Sequence, residues 1–307
     1  KEKKKYIIIP KQPRNDFWNH NNDTFRELVY MWKEEGLCEI IEEDTKHVWY
    51  NKIGDVLLYD RPTLDWLNKD INVKFNKILL ANPCITEELR SKGSNWIFWG
   101  RHPKDLEILS KEVLDYKNRV INSIFIGKIE NEIQLKYRSE DWEKYVELYM
   151  MHKPDEDYLY SQEEYLNLLK QSKFGLCLRG FGGKCNREIE LMGLGTVPIV
   201  EKNVDMTYYN KLEESVHYFR VNNGEEFKNI IEQCSENQWT IMSQNCVKWY
   251  NENCSVKGSF NTTQKIINTF KNNIIEKKPQ NENKFYNINY IKKTDFTDIF
   301  NINNTYI

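Results

Sequence analysis

Apolar residues in the first third of the chain fall in short runs separated by polar or helix-breaking positions. Tyr6, Ile7, Ile8 and Ile9 form a strand-like tetrad that stops at Pro10, a residue with no amide to donate. Over residues 24–35, Phe25, Leu28, Val29 and Trp32 recur at helical spacing up to Gly36, which predicts an amphipathic helix. Runs at 55–59, 77–81 and 96–99 have strand length, and each gives way to Asp60-Arg61-Pro62, Asn82-Pro83 or Gly100-Arg101-His102-Pro103. Residues 103–117 then read as a helix with proline in its first turn.

A second series begins near Arg119. A strand over 120–126 meets Gly127, helices are predicted over 141–150 and 162–171, and a strand over 174–178 enters a glycine-rich turn. A short helix from Asn186 and a strand over 197–201 follow, and helical patterns at 225–234, 240–251 and 259–272 complete the series. Strands alternating with helices predict an α/β fold of parallel sheets covered by helices, with ligands beyond the carboxyl ends of the strands. The loops at 60–62, 82–83 and 100–103 are therefore expected to share a crevice. The division expected is two Rossmann-like domains, 1–117 and 118–272, and a tail over 273–307. That tail is rich in Asn, Lys and Ile, a composition that fits disorder; Phe285, Tyr286, Tyr290, Phe296 and Phe300 favour instead a segment that packs back on the first domain.

The 307 residues carry a net charge of −2 with 29% charged positions, which argues against a protein built to coat nucleic acid. Seven cysteines, Cys38, Cys84, Cys177, Cys185, Cys234, Cys246 and Cys254, show neither C-x-x-C spacing nor a histidine pair, so no zinc site or disulfide framework is indicated and a reducing, cytoplasmic setting is expected. No apolar run reaches the roughly 20 residues needed to span a bilayer. The first residue is Lys1, which leaves room for an upstream anchor.

The most informative stretch runs from Ser172 through Arg179-Gly180-Phe181-Gly182-Gly183-Lys184-Cys185-Asn186-Arg187 to Glu190, followed by Gly195 and Pro198. Glycines after the strand permit close backbone approach, and amides at the helix start face an anion. Arg187 and Glu190, three apart, offer a cation and a carboxylate on one helix face, as a diphosphate and a ribose require. The same run also reads as a surface turn with a helical Arg/Glu pair. It is not a P-loop, because Leu178 stands where the first glycine belongs and Cys185 replaces Ser or Thr.

Arg179-Gly180, Arg187, Glu190, Gly195 and Pro198 at these spacings resemble the donor-site signature of exostosin-like glycosyltransferases, and Arg119, Gly127 and Arg138 resemble the Arg, Gly and Arg that open the family's donor domain. The likeness spans residues 119 to about 255; the first half resembles the family weakly. Leu178, Lys184 and Cys185 depart from the pattern, which usually has Pro before the first Arg and Ser or Thr in the loop.

The resemblance implies GT-B architecture, two Rossmann-like domains facing a cleft, with residues 1–117 binding acceptor and 118–272 binding nucleotide sugar. It implies an inverting transfer from a UDP-sugar with no metal or other cofactor. Donor contacts fall on Gly127, Arg138, Arg179, Gly180, Arg187 and Glu190, with Arg187 on the phosphates and Glu190 on the ribose; Lys184 is a further candidate phosphate contact that the resemblance does not itself supply. UDP-xylose is the leading donor and an oligosaccharide or glycoprotein the acceptor. Richness in Asn, Ile and Lys suggests an AT-rich genome, and with the resemblance to compact enzymes of this kind it points to a large DNA virus acting in host cytoplasm.

For proton transfer from the acceptor, Asp60 beside Arg61 and His102 beside Arg101 are the candidates, the two arginines also serving the acceptor. An Asp-Arg-Pro turn and a packing histidine are the duller explanations. Asp155-Glu156-Asp157 follows what reads as a helix end and a proline turn, so it is expected to be a solvated loop and not a D-x-D metal motif. Among the aromatics near these loops, Trp49 and Trp99 are expected to be exposed for stacking on sugar. The competing functions are a GT-like carbohydrate-binding protein without turnover and a DNA-base glucosyltransferase, the latter disfavoured by the acidic balance.

Overall fold

The computed structural model describes residues 6–10, 24–43, 51–53, 56–59, 77–81, 93–97, 99–138 and 141–274. Two sheets organise them. The first joins β1 (Tyr6–Pro10), β2 (Glu39–Glu43), β3 (Asn51–Ile53), β4 (Val56–Tyr59), β5 (Lys77–Leu80) and β6 (Ser94–Asn95) in the order β2-β1-β3-β4-β5-β6. Contrary to expectation it is mixed, because β3 runs antiparallel to both β1 and β4. Only Gly54 and Asp55 separate β3 from β4, too few residues for a parallel crossover. The apolar run at 96–99 stands just past β6; Trp96 still donates its amide to Leu80 O at 2.8 Å, and both Trp96 and Trp99 are buried.

The second sheet contains β7 (Ile121–Lys128), β8 (Leu148–His152), β9 (Ser172–Cys177), β10 (Val197–Glu201) and β11 (Phe219–Val221) in the order β11-β10-β9-β7-β8. Every pairing is parallel. Counted from its own first strand the order is 2-1-3-4-5, a doubly wound sheet whose connections reverse between β7 and β9.

The helices are α1 (Thr24–Glu34), α2 (Pro103–Leu109), α3 (Glu132–Arg138), α4 (Gln162–Lys170), α5 (Asn186–Gly193), α6 (Gly224–Gln233), α7 (Glu236–Asn253) and α8 (Val256–Ile274). Three differ from the pattern reading. The expected helix at 141–150 is a 3-10 turn, Trp142–Lys144, followed by β8. Parallel pairing from Ile124↔Leu148 to Lys128↔His152, with Tyr149 stacked on Phe125 at 5.3 Å, overrides local helical spacing. α2 stops at Leu109 instead of reaching 117, and Tyr116–Asn118 forms a separate 3-10 turn. α3 was hidden because Ile133, Leu135 and Tyr137 alternate like a strand.

A return onto the first sheet is made by α8. Trp32 and Trp96, both fully buried, donate their indole N–H groups to Ser259 Oγ at 2.8 Å and Thr263 Oγ1 at 2.7 Å, and Phe260 meets the Trp32 ring edge-on. The tail expected to make that return lies, from residue 275 onward, outside the described residues.

Arg119 ties together the amino end of the second sheet. Its guanidinium, 3% exposed, donates to the carbonyls of Leu114, Lys170, Ser172 and Leu194 and to Thr196 Oγ1 at 2.7 to 3.0 Å, over the Trp239 ring. Gly195, in the left-handed region at φ 70°, ends α5 beside this cluster.

Candidate functional site

In a 2-1-3-4-5 sheet the crevice opens beyond the carboxyl ends of the two strands that flank the reversal. Those strands are β7, ending Ile126-Gly127-Lys128, and β9, which runs into Arg179-Gly180. A cavity of about 450 Å³ lies there. Gly127, Arg138, Gly180, Lys184, Arg187 and Glu190 line it, as do Arg101 and His102 from the start of α2. Residues 180–182, 184–187 and 190, from the segment singled out by spacing, and 101–102, far away in sequence, thus line one cavity.

The turn after β9 is pinned from several sides. Arg138 donates Nε–H to Arg179 O at 3.0 Å and also bonds Lys128 O, so one buried guanidinium clamps the ends of β7 and β9 together. Burial, then the Arg187 charge, lowers its pKa. Asp205 donates its amide to Gly183 O at 2.8 Å. A Cβ at Gly180 would stand 2.8 Å from Cys185 Sγ and 3.3 Å from an Arg138 nitrogen, so only glycine fits this approach.

Lys184 does not reach into the site as a phosphate ligand. Its ammonium is buried against the carbonyls of Asp205 and Thr207, with Asp205 Oδ1 at 3.6 Å and the Tyr208 ring beneath it. Arg179, expected on the donor, is not among the residues that line the cavity; its guanidinium lies over the Tyr137 ring at 4.7 Å and its Nε is shut from water without a hydrogen-bond partner.

Arg187, at the first turn of α5, lies over the Phe125 ring at 4.4 Å and bonds Ile126 O, while its Nε has no partner. The start of α5 and the Arg187 guanidinium thus border one cavity, a placement that favours anions, although the Cys185 amide is already taken by Glu188. Glu190, one turn on, is 3% exposed, more enclosed than a purely ligand-facing carboxylate requires. Its Oε1 accepts the Arg101 amide at 3.0 Å and its Oε2 the Tyr165 hydroxyl at 3.1 Å. Burial, with the Glu190 charge, pushes the Tyr165 phenol up, so it remains a donor. Glu190 therefore joins α5 to α4 and to the α2 entry loop, and Asn186 adds a bond to Trp99 O at 2.9 Å.

Glu188, on the buried side of α5, accepts the Cys185 amide at 2.9 Å through one oxygen and leaves the other unpartnered. Burial raises it to about 7 and, with Glu188 next to it, raises the Cys185 thiol to about 11. Cys185 is accordingly not a nucleophile at neutral pH. Burial, then the Arg101 charge, lowers the His102 pKa, which keeps the imidazole neutral and able to accept a proton.

Asp60, Arg61 and Trp49 lie outside the described residues. Trp99, expected to be exposed, is 2% exposed and packs edge-on against Trp96. The reasoning that set aside Asp155-Glu156-Asp157 needs correcting, since a strand, β8, does lead into the triplet. Glu156 is spent on the Lys153 amide at 2.8 Å, and among the described residues no group of three His, Cys, Asp or Glu side chains is arranged to hold a metal ion. No helix among the described residues is long and apolar enough to cross a membrane.

Sequence reasoning missed the lining contributed by Tyr158, Tyr160, Gln162, Tyr165 and Lys128. The misread helix at 141–150 hid the strand end that positions them; the aromatic spacing of Tyr158, Tyr160 and Tyr165 was the signal available.

No family model matches this chain, and no curated protein matches it. Among solved structures the chain is similar to Anabaena HepE in complex with UDP-glucose, at a TM-score of 0.36 and 11% identity. That match covers 68% of this chain and 66%, slightly under two thirds, of the other.

Proposed function

We propose that this protein is an inverting glycosyltransferase that moves a sugar from a UDP-linked donor, UDP-xylose foremost, to a hydroxyl of a glycan. The observation that carries the reading is the cavity at the β7/β9 reversal, walled by Arg187, Arg138 and Arg101 and floored by glycine backbone. As the glycosidic bond to the nucleotide breaks, charge builds on the departing diphosphate. Arg187 and the α5 amides are preorganised to meet it without a metal ion. Glu190 borders the ribose and keeps the Arg101 loop in place. His102, neutral and on the same wall, accepts the proton of the attacking acceptor hydroxyl, a role it shares as a candidate with Asp60.

The test pairs binding with turnover. UDP in the presence of EDTA is expected to raise the melting temperature, and a panel of UDP-sugars with oligosaccharide acceptors is expected to give transfer. Stabilisation that disappears with EDTA removes the metal-free mechanism and returns attention to Asp155 and Asp157. No response to any nucleoside diphosphate overturns the reading.

For the base, His102→Asn and Asp60→Asn are compared on one preparation each. The true base loses roughly two to four orders of magnitude in transfer while UDP binding persists. A second reading, a protein that binds nucleotide sugar without turning it over, is favoured by the internal engagement of both Glu190 oxygens and the Lys184 ammonium. Binding with neither transfer nor donor hydrolysis selects it.

A further inference from the structure

Tyr158, Tyr160 and Tyr165 give the cavity an aromatic lining, and its construction is rigid. β8 ends at His152, in register with Lys128 at the end of β7. His152 is buried and has both ring nitrogens engaged: Nδ1 lies 3.1 Å from Gly127 O, and Nε2 accepts the Leu159 amide at 3.2 Å. A carbonyl partner demands a proton on Nδ1 and an amide partner demands a lone pair on Nε2, so the ring is the neutral Nδ1–H tautomer. It holds the 153–159 loop against the strand. The Tyr158 ring rests on this fixed imidazole, centroids 5.1 Å apart, and the residue is 48% exposed while lining the cavity.

Two neighbours add polarity. Tyr160 and Gln162 line the same wall, and Gln162 opens α4 behind a Ser161/Glu164 capping box that fixes its backbone. The Gln162 Nε2 amide is shut from water and has no hydrogen-bond partner. A donor in that condition gains a bond by turning into the cavity whenever an acceptor arrives there. The Lys128 ammonium lies over the Tyr158 ring, 5.6 Å from its centroid, and 3.8 Å from Glu130 Oε1.

We infer that the Tyr158, Tyr160 and Gln162 wall is a nucleobase subsite, with Tyr158 the stacking platform and Gln162 the donor to a base carbonyl. The inference rests on the nucleotide-sugar reading and adds to it the part of the ligand that the arginines do not touch. A flat heteroaromatic ring uses a half-exposed tyrosine backed by a locked imidazole, and a pyrimidine with ring carbonyls satisfies the orphaned amide.

The experiment titrates UDP and inorganic pyrophosphate separately into the full chain and into Tyr158→Ala, Tyr158→Phe and Gln162→Leu. Tyr158→Ala is expected to weaken UDP about tenfold and to leave pyrophosphate within about twofold, as loss of one base stack does. Tyr158→Phe keeps UDP affinity, and Gln162→Leu weakens UDP but not pyrophosphate. Unchanged UDP affinity in Tyr158→Ala, or equal losses for UDP and pyrophosphate, overturns the base subsite while leaving the nucleotide-sugar reading standing. A wild-type protein that binds neither ligand removes that reading and the subsite with it.

Discussion

At the amino end of the five-stranded sheet, Arg119 spends its guanidinium on four backbone carbonyls and a threonine hydroxyl; at the carboxyl end, Arg187 bonds the Ile126 carbonyl and the Tyr165 side chain and leaves its Nε unpartnered beside a cavity. Both arginines belong to the same sequence resemblance, and both sit close to aromatic rings. The difference lies in how far their hydrogen-bonding capacity is exhausted by the protein. A guanidinium saturated by carbonyls is part of the fold, whereas one with donors to spare beside a cavity can be completed by a ligand. Arg138 falls between them, clamping two strand ends while bordering the cavity.

The largest effect expected is on stability. Arg119→Ala leaves several buried acceptors without a donor and is expected to cost about 3 kcal/mol or more in urea unfolding. The protein that remains folded should bind UDP normally. Lost UDP affinity in folded Arg119→Ala would break the distinction between the two ends.

Next comes the electrostatic strain at the carboxyl end. Glu188 is raised from 4.5 to about 7 by burial, so the folded state holds a proton that the unfolded chain has released across that window. The stability this proton lends is present in full below 4.5 and is lost as pH rises through about 7. Glu188→Gln retains an acceptor for the Cys185 amide and has no charge to bury. It is expected to stabilise the protein by roughly 3 kcal/mol at pH 8 and by nothing near pH 4. Melting curves of both proteins across that range are the measurement, and parallel curves would show that Glu188 ionises freely.

Arg187→Ala reverses the Arg119 outcome. Loss of a charge-assisted contact, about 1.5 to 3 kcal/mol, lowers UDP affinity roughly 10- to 150-fold by calorimetry. The fold loses the Ile126 carbonyl bond, the Tyr165 side-chain hydrogen bond and the Phe125 ring contact, fewer buried partners than Arg119 holds. Equal affinity in the mutant would place the diphosphate elsewhere.

Much of the carboxyl end was legible in the sequence because it is local. Strand, glycine turn and helix from Ser172 to Glu190 follow from apolar runs and breakers, and of the residues that pattern marked the cavity collects Gly180, Lys184, Arg187 and Glu190 but not Arg179. What escaped depends on distant partners. Glu190 is 89 positions from the amide it accepts and 25 from Tyr165, so nothing near it announces that both oxygens are engaged. Lys184 is neutralised by carbonyls on the 205–207 segment, and β8 becomes a strand through pairing with β7 that its own helical spacing contradicts. Arg119 was legible as important, but only its ring of carbonyls tells that its role is to hold the fold.

The smallest effect tests how tightly the ligand end is built. Gly180→Ala introduces a methyl 2.8 Å from Cys185 Sγ and 3.3 Å from an Arg138 nitrogen, at a glycine whose backbone is not left-handed. The cost is therefore steric and of about 1 to 2 kcal/mol, with the turn displaced from the cavity and UDP affinity reduced a few fold. Cys185→Ala removes the nearer obstacle without introducing a polar group. In that background Gly180→Ala should lose most of its penalty in both stability and UDP affinity, a coupling that a double-mutant cycle reads directly. Additive losses would mean that the turn is held by Arg138 rather than by the thiol, and that the clamp between β7 and β9 sets the shape of the site.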